Sequence, residues 1–226
     1  GPDDEIGTLN MMTEASQLQV LSQIVSGKVY DLSVDYFVGM PSFHSLGDPG
    51  YQYWLTHTPH GTVVDNPNGL GEAMNQKVSY TGDAISMYTH MGTHIDALNH
   101  FGLNGKIWNG FTPEEHLGDK GWKKTGAETI PPIIAKGVLL DVAAAKGSLP
   151  KNYRITAADL QLALKKQNVR LQKGDVVLIR TGQAQHYENA ADYLDNYPGI
   201  SLDAVKWLVE EMDIMLLGAD NLGFEA

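Results

Sequence analysis

His90-Met91-Gly92-Thr93-His94-Ile95-Asp96-Ala97-Leu98-Asn99-His100 places three of the chain's eight histidines and one carboxylate within eleven residues. Neutral imidazole and carboxylate are the usual oxygen and nitrogen ligands for zinc, manganese and iron. The run before it, Ala84-Ile85-Ser86-Met87-Tyr88-Thr89, alternates apolar and polar residues and reads as a strand. If the extended conformation continues, residues 90, 92, 94 and 96 share one face. His90, His94 and Asp96 then converge, and Gly92 leaves room between them for an ion. A helix would also align His90 with His94, but Gly92, Thr93 and Ile95 are poor helix formers. It would also turn Asp96 away. Buried charge needs a partner, so a divalent ion, zinc or manganese, is expected on His90, His94 and Asp96. His100 lies four residues past Asp96, beyond the expected strand end. It is a further ligand or a proton carrier, and the second role is expected because imidazole titrates near neutral pH.

Outward from that stretch, the chain alternates helices and strands. Thr13 is a good N-cap for a helix through about Ser26, with Leu18, Leu21, Ile24 and Val25 on one face and Gly27 ending it. Lys28–Val34 reads as a strand. Residues 40–76 are rich in proline and glycine, and read as a long loop carrying Phe43, His44, Tyr51, Trp54, His57 and His60. Thr112-Pro113-Glu114-Glu115 opens a short helix. Gly137–Val142 and Val176–Arg180 read as strands, the second buried on both faces. Thr156-Ala157-Ala158-Asp159 is a capping signature for a helix to about Gln167, with Leu160, Ala163 and Leu164 inward. Ser201 caps a further helix that turns Ala204, Val205, Leu208 and Val209 inward, and Ile214–Gly218 is the last strand. No repeat or linker interrupts the 226 residues, so a single α/β domain over 1–226 is expected.

The motif His90-x-Gly92-Thr93-His94-x-Asp96-x-x-x-His100 resembles the signature of the metal-dependent cyclase-type hydrolases. That family includes kynurenine formamidases, isatin hydrolases and a metal-dependent trans-dienelactone hydrolase. Further likeness runs through Gly1–Asn10, Gly137–Val142 and Gly174–Gly182, which matches the longer members. Leu98 stands where the short formamidases carry proline. The resemblance implies a swivelling β/β/α domain around a closed mixed sheet, a small-molecule substrate and a homodimer or larger assembly. It also implies that Phe43 and His44 line the substrate pocket and that Glu225 lies near the site. The later histidine and glutamate that bind a second metal in formamidases would follow Gly218-Ala219-Asp220-Asn221, past the last residue given. The start at Gly1 without methionine suggests an incomplete N-terminus.

The chemistry implied is opening of a cyclic amide or ester, or cleavage of a formamide, by metal-activated water. Arg180 or a backbone N–H would serve the oxyanion, but nothing in the sequence places either. The chain has no cysteine and no Gly-x-Ser-x-Gly elbow, so cysteine- and serine-type hydrolysis lack support. Its net charge of -11 argues against nucleic acid as a partner. No apolar run approaches the ~18 residues of a membrane span, and a cytoplasmic setting is expected. Two alternatives use the same atoms. A non-haem iron oxygenase would pair His94-x-Asp96 with the distant His186. A non-catalytic metal-binding protein would take up metal without turnover.

Overall fold

The computed structural model describes residues 1–43 and 47–225. The chain is a mixed α/β structure with small, open sheets, and it divides into two compact units, Gly1–Asp31 with Ile95–Ala226, and Leu32–His94. The closed sheet expected from the family resemblance is not present among the described residues. Among the described residues three sheets are two-stranded and a fourth has three strands. Among the described residues no helix is long and apolar enough to cross a membrane.

The larger unit is organised by a parallel sheet in the order Gly137–Asp141, Val176–Arg180, Leu216–Ala219. Parallel strands need crossover connections, and helices supply them. Asp141 caps Val142–Lys146 by accepting the Ala144 N–H at 2.8 Å. Thr156 and Asp159 form the expected capping box at the start of Ala157–Gln167. Along the edge strand Val138 and Leu140 are buried while Leu139 is half exposed, as expected when helices cover one face. Leu140, Val142, Ile155, Leu160, Ala163, Val177, Ala204 and Leu208 are all wholly excluded from water. In the central strand Val177 and Ile179 are buried, but Val176 and Leu178 are only half-buried, so burial on both faces is incomplete. Leu178 reaches over the neighbouring strand at Gly218, where a β-carbon would meet its Cδ2 at 2.7 Å.

Several expectations change here. The N-terminal helix is Glu14–Ser22, shorter than the pattern suggested, with Thr13 and Ser16 in a capping box. Near its end Ser22 Oγ donates to the Gln19 carbonyl at 2.7 Å, a local bond that competes with helix continuation. None of its residues is buried, and Leu18 is 68% exposed. No strand forms over Lys28–Val34, since strand propensity counts only where a neighbouring strand takes the pairing. Ser201 precedes the helix Leu202–Lys206 without a side-chain cap, and its hydroxyl lies 2.7 Å from the Ile155 carbonyl and 2.6 Å from Asp203 Oδ1. That helix runs into a π-helical turn, Trp207–Glu211. The extra residue of the wider turn leaves Val209 51% exposed while Ala204 and Leu208 stay inward.

The smaller unit pairs Gln52–His57 with Gly82–Ser86, antiparallel. Thr58 caps Pro59–Asp65, and Asn66 ends it in the left-handed conformation. The Asn66 side chain then accepts from Gly71 N and Asn75 Nδ2, both at 2.9 Å. Among the described residues of this unit the buried ones are few: Met40, Pro41, Ser42, Thr62, Asn75 and Met91.

Candidate metal centre

The strand that precedes the histidines ends at Ser86. The extended reading through residue 96 is therefore corrected: the chain bends repeatedly from 89 to 93. Gly92 carries the change, with φ at +64°, a left-handed conformation that side chains resist. Its lack of a side chain serves a tyrosine. A β-carbon on Gly92 would lie 2.6 Å from Tyr36 Cζ, so the space expected for an ion is taken up by that ring. Next to it Met91 is 1% exposed and anchors the run in the small core.

Because the backbone turns, the histidines do not simply alternate along one face. His90 and His94 have ring centroids 5.4 Å apart and planes nearly perpendicular. Two imidazoles on one tetrahedral ion have centroids roughly 5 Å apart, given Zn–N bonds near 2.1 Å. His94 Nδ1 sits 3.0 Å from the Gly92 carbonyl. With the ring proton on Nδ1, this bond leaves Nε2 as the acceptor, the arrangement that metal-bound histidines usually have. Along the same consecutive residues, one ligand atom each from His90, Asp96 and His100 lie within 4.8 Å of one another. His94 is not in that group. His90 and His100 are half-buried and Asp96 is exposed.

The donor set suits a divalent ion of the zinc or manganese type, since nitrogen and carboxylate oxygen are the ligands both accept. His100 stacks edge-on against Phe101, with centroids 4.8 Å apart. Asn99 Nδ2 reaches the Lys124 carbonyl at 3.4 Å.

The other candidates lie elsewhere. Phe43 is 45% exposed, and His44 lies outside the described residues. Glu225 bridges to Ile200 and is an exposed carboxylate. Burial, with the Glu225 charge adding to it, raises the Tyr197 hydroxyl above its ordinary pKa. His186 is not in the ligand group, and its Nε2 lies 3.2 Å from Gln185 Nε2. Arg180 is paired with Asp141 at 2.9 Å. Sequence reasoning missed Tyr36. It stands 55 residues before Met91, and no local pattern links the two.

Comparison with known proteins agrees with the motif. A family model described as "Putative cyclase" matches residues 30–226. Cyclase-like protein 1 of Arabidopsis thaliana is 25% identical over 201 residues, which is 88% of this chain and 64% of that protein. Cyclase-like protein 2 of the same plant is 26% identical over 204 residues, 89% of this chain and 60% of its own length. The chain therefore spans less than two thirds of the length of these curated relatives. A crystal structure of a novel cyclase superposes with a TM-score of 0.86 at 28% identity, over 100% of this chain and 74% of that one. Isatin hydrolase A from Ralstonia solanacearum shares the fold, with a TM-score of 0.63 at 22% identity, over 88% of this chain and 68% of its own. With the family match running from residue 30 to residue 226, the chain belongs to the cyclase family.

Proposed function

We propose that the protein is a metal-dependent hydrolase that opens a cyclic amide or ester, or cleaves a formamide. The observation that carries this reading is the His90–His94 pair, whose ring centroids lie 5.4 Å apart with nearly perpendicular planes, close to the spacing of two imidazoles on one ion. The Gly92 carbonyl, 3.0 Å from His94 Nδ1, supports it further, because a proton held on Nδ1 makes Nε2 the nitrogen that can accept. In this reading His90, His94 and Asp96 hold one divalent ion, zinc or manganese. A divalent ion in such a site supplies a Lewis acid and brings the pKa of water to near 7. His100 accepts the proton of the attacking water and returns it to the leaving nitrogen or oxygen. Phe43 and His44 are proposed as substrate-side walls, and Glu225 as an outer carboxylate. The solved neighbours described as isatin hydrolases take their name from isatin, a cyclic amide, and a substrate of that class is proposed here.

The same reading carries the family's swivelling β/β/α topology, one domain over residues 1–226, a homodimer or larger assembly, a cytoplasmic setting, and no nucleic-acid or membrane partner. A strict monomer in light scattering would count against the assembly. The test of function is elemental analysis of the purified protein together with turnover of isatin, N-formylkynurenine and a dienelactone, each with added zinc or manganese. We expect stoichiometric metal, its loss in His94→Ala, and hydrolysis of at least one substrate. Full metal occupancy in His94→Ala removes that ligand from the set. Metal uptake without any turnover leaves a binding protein.

A further inference from the structure

Within residues 32–94 the backbone between His90 and His94 is gripped by a short segment far away in sequence. Val34 N donates to Thr93 Oγ1 at 3.0 Å. The Tyr36 hydroxyl lies 3.2 Å from the Met91 carbonyl and 3.2 Å from the Thr93 carbonyl. Its ring covers Gly92, where a β-carbon would sit 2.6 Å from Cζ and 2.7 Å from the hydroxyl oxygen. Tyr51 meets the ring edge-on at 5.8 Å. Glycine at 92 is thus required twice, by its φ of +64° and by the ring pressed against it.

We propose that Tyr36 is a positioning residue for the histidine pair. By holding the carbonyls on either side of Gly92 it sets the turn between His90 and His94, and with it the directions in which the two imidazoles leave the backbone. The turn also presents the Gly92 carbonyl to His94 Nδ1. The ring therefore acts through the backbone between the two histidines to select the His94 nitrogen that would face an ion. This role rests on the reading that His90 and His94 hold a metal. The hydroxyl has one proton, which serves one carbonyl at a time, so its removal costs about one hydrogen bond. The ring is 40% exposed, and water can take over part of that bond.

The test compares the full chain with Tyr36→Phe and Tyr36→Ala. Zinc affinity is read by competition with a chromophoric chelator, and amide hydrogen exchange is read on the metal-free proteins. Tyr36→Phe keeps the ring and should weaken zinc binding roughly tenfold, at the lower end of what outer partners of metal ligands contribute. Tyr36→Ala should weaken it roughly a hundredfold. In both, the amides of Gly92, Thr93 and His94 should exchange faster, while those of Gly82–Ser86 keep their wild-type rates. The melting temperature of metal-free Tyr36→Phe should fall by no more than about 2–4 °C, the share of one partly water-replaced hydrogen bond, which separates positioning from a general structural role. If the wild type binds zinc and both variants bind it equally well, Tyr36 does not position the pair. Equal loss of protection across Gly82–Ser86 overturns the proposal too, in favour of a structural role. A wild type that binds no zinc defeats the metal reading itself, and the Tyr36 role falls with it.

Discussion

The parallel-sheet body and the stretch 90–100 are held by different forces. In the body, Leu140, Val142, Ile155, Leu160 and Val177 are wholly buried, and helices fit over the sheet. Apolar burial of this kind is worth ~1.5–3 kcal/mol per large side chain. Around the histidines only Met91 is deeply buried. The rest is kept in shape by Val34 and Tyr36 bonding to Met91 and Thr93, and by a glycine at positive φ. The body resists changes of volume, whereas the site depends on directional bonds and one backbone conformation. Damage to the first should therefore appear in stability, and damage to the second in chemistry.

His100→Asn is the strongest test of that separation. If His100 carries the proton, kcat falls by roughly 10²–10⁴-fold while metal content and the unfolding midpoint stay as they are. A dialysed variant that comes out metal-free would make His100 a ligand instead, in keeping with its place in the group with His90 and Asp96.

Leu160→Ala attacks the other side. It should cost roughly 2–5 kcal/mol in urea unfolding, as large-to-small changes in packed cores do, with the rate per folded molecule unchanged. Met91→Ala offers the direct contrast, being 1% exposed in a much thinner core. It should cost less stability and should disturb metal binding. If the two variants lose equal stability and both keep their metal, the contrast between the regions fails.

Acid provides the mildest probe. Asp159 is buried, which by itself would raise its pKa. Its bonds from Lys146, Thr156 and Tyr153 together outweigh burial and hold the carboxyl below the ordinary value of 3.8. The unfolded chain therefore takes up this proton first. The stabilisation is present above the unfolded pKa and is lost as pH falls through the folded one. The Asp159 bond raises the Lys146 ammonium to about 12, so its share is complete below 10.5 and lost as pH rises through about 12. Urea midpoints measured from pH 5 down to pH 3 should fall for the wild type and fall less steeply for Asp159→Asn. Metal affinity per folded molecule is read separately, because metal binding is itself pH-dependent.

The same division explains what the sequence could reveal. Thr156 and Asp159 are three residues apart, and their reciprocal bonds are local, so the helix start could be read directly. The strands Gly137–Asp141 and Val176–Arg180 were equally plain, being short β-branched and leucine runs with turn signals around them. The histidines and the carboxylate of 90–100 stand out for the same reason, as residue types at close spacing. Their arrangement was not legible, because Gly92 turns the chain to accommodate Tyr36, a residue whose contact with it is not encoded nearby. Lys28–Val34 has the composition of a strand, but composition does not supply the strand it would pair with. Val209 was misplaced because a helical wheel assumes 3.6 residues per turn, and the helix widens just there.

That wide turn also bears on which lengths of chain the fold accepts. Met212 N bonds to the Trp207 carbonyl five residues back, which is equivalent to one residue inserted into an α-helix. Elsewhere in a helix, deleting one residue rotates everything after it by about 100° and scrambles the buried face. Between Ala204 and Ile214 the surplus residue is already present as a bulge. A gene that lost the codon for Val209 would yield an α-helix without the bulge, with Ala204 and Leu208 still inward. On this chain it is the place where a deletion, usually the most disruptive of small mutations, should leave the helix more regular than it found it.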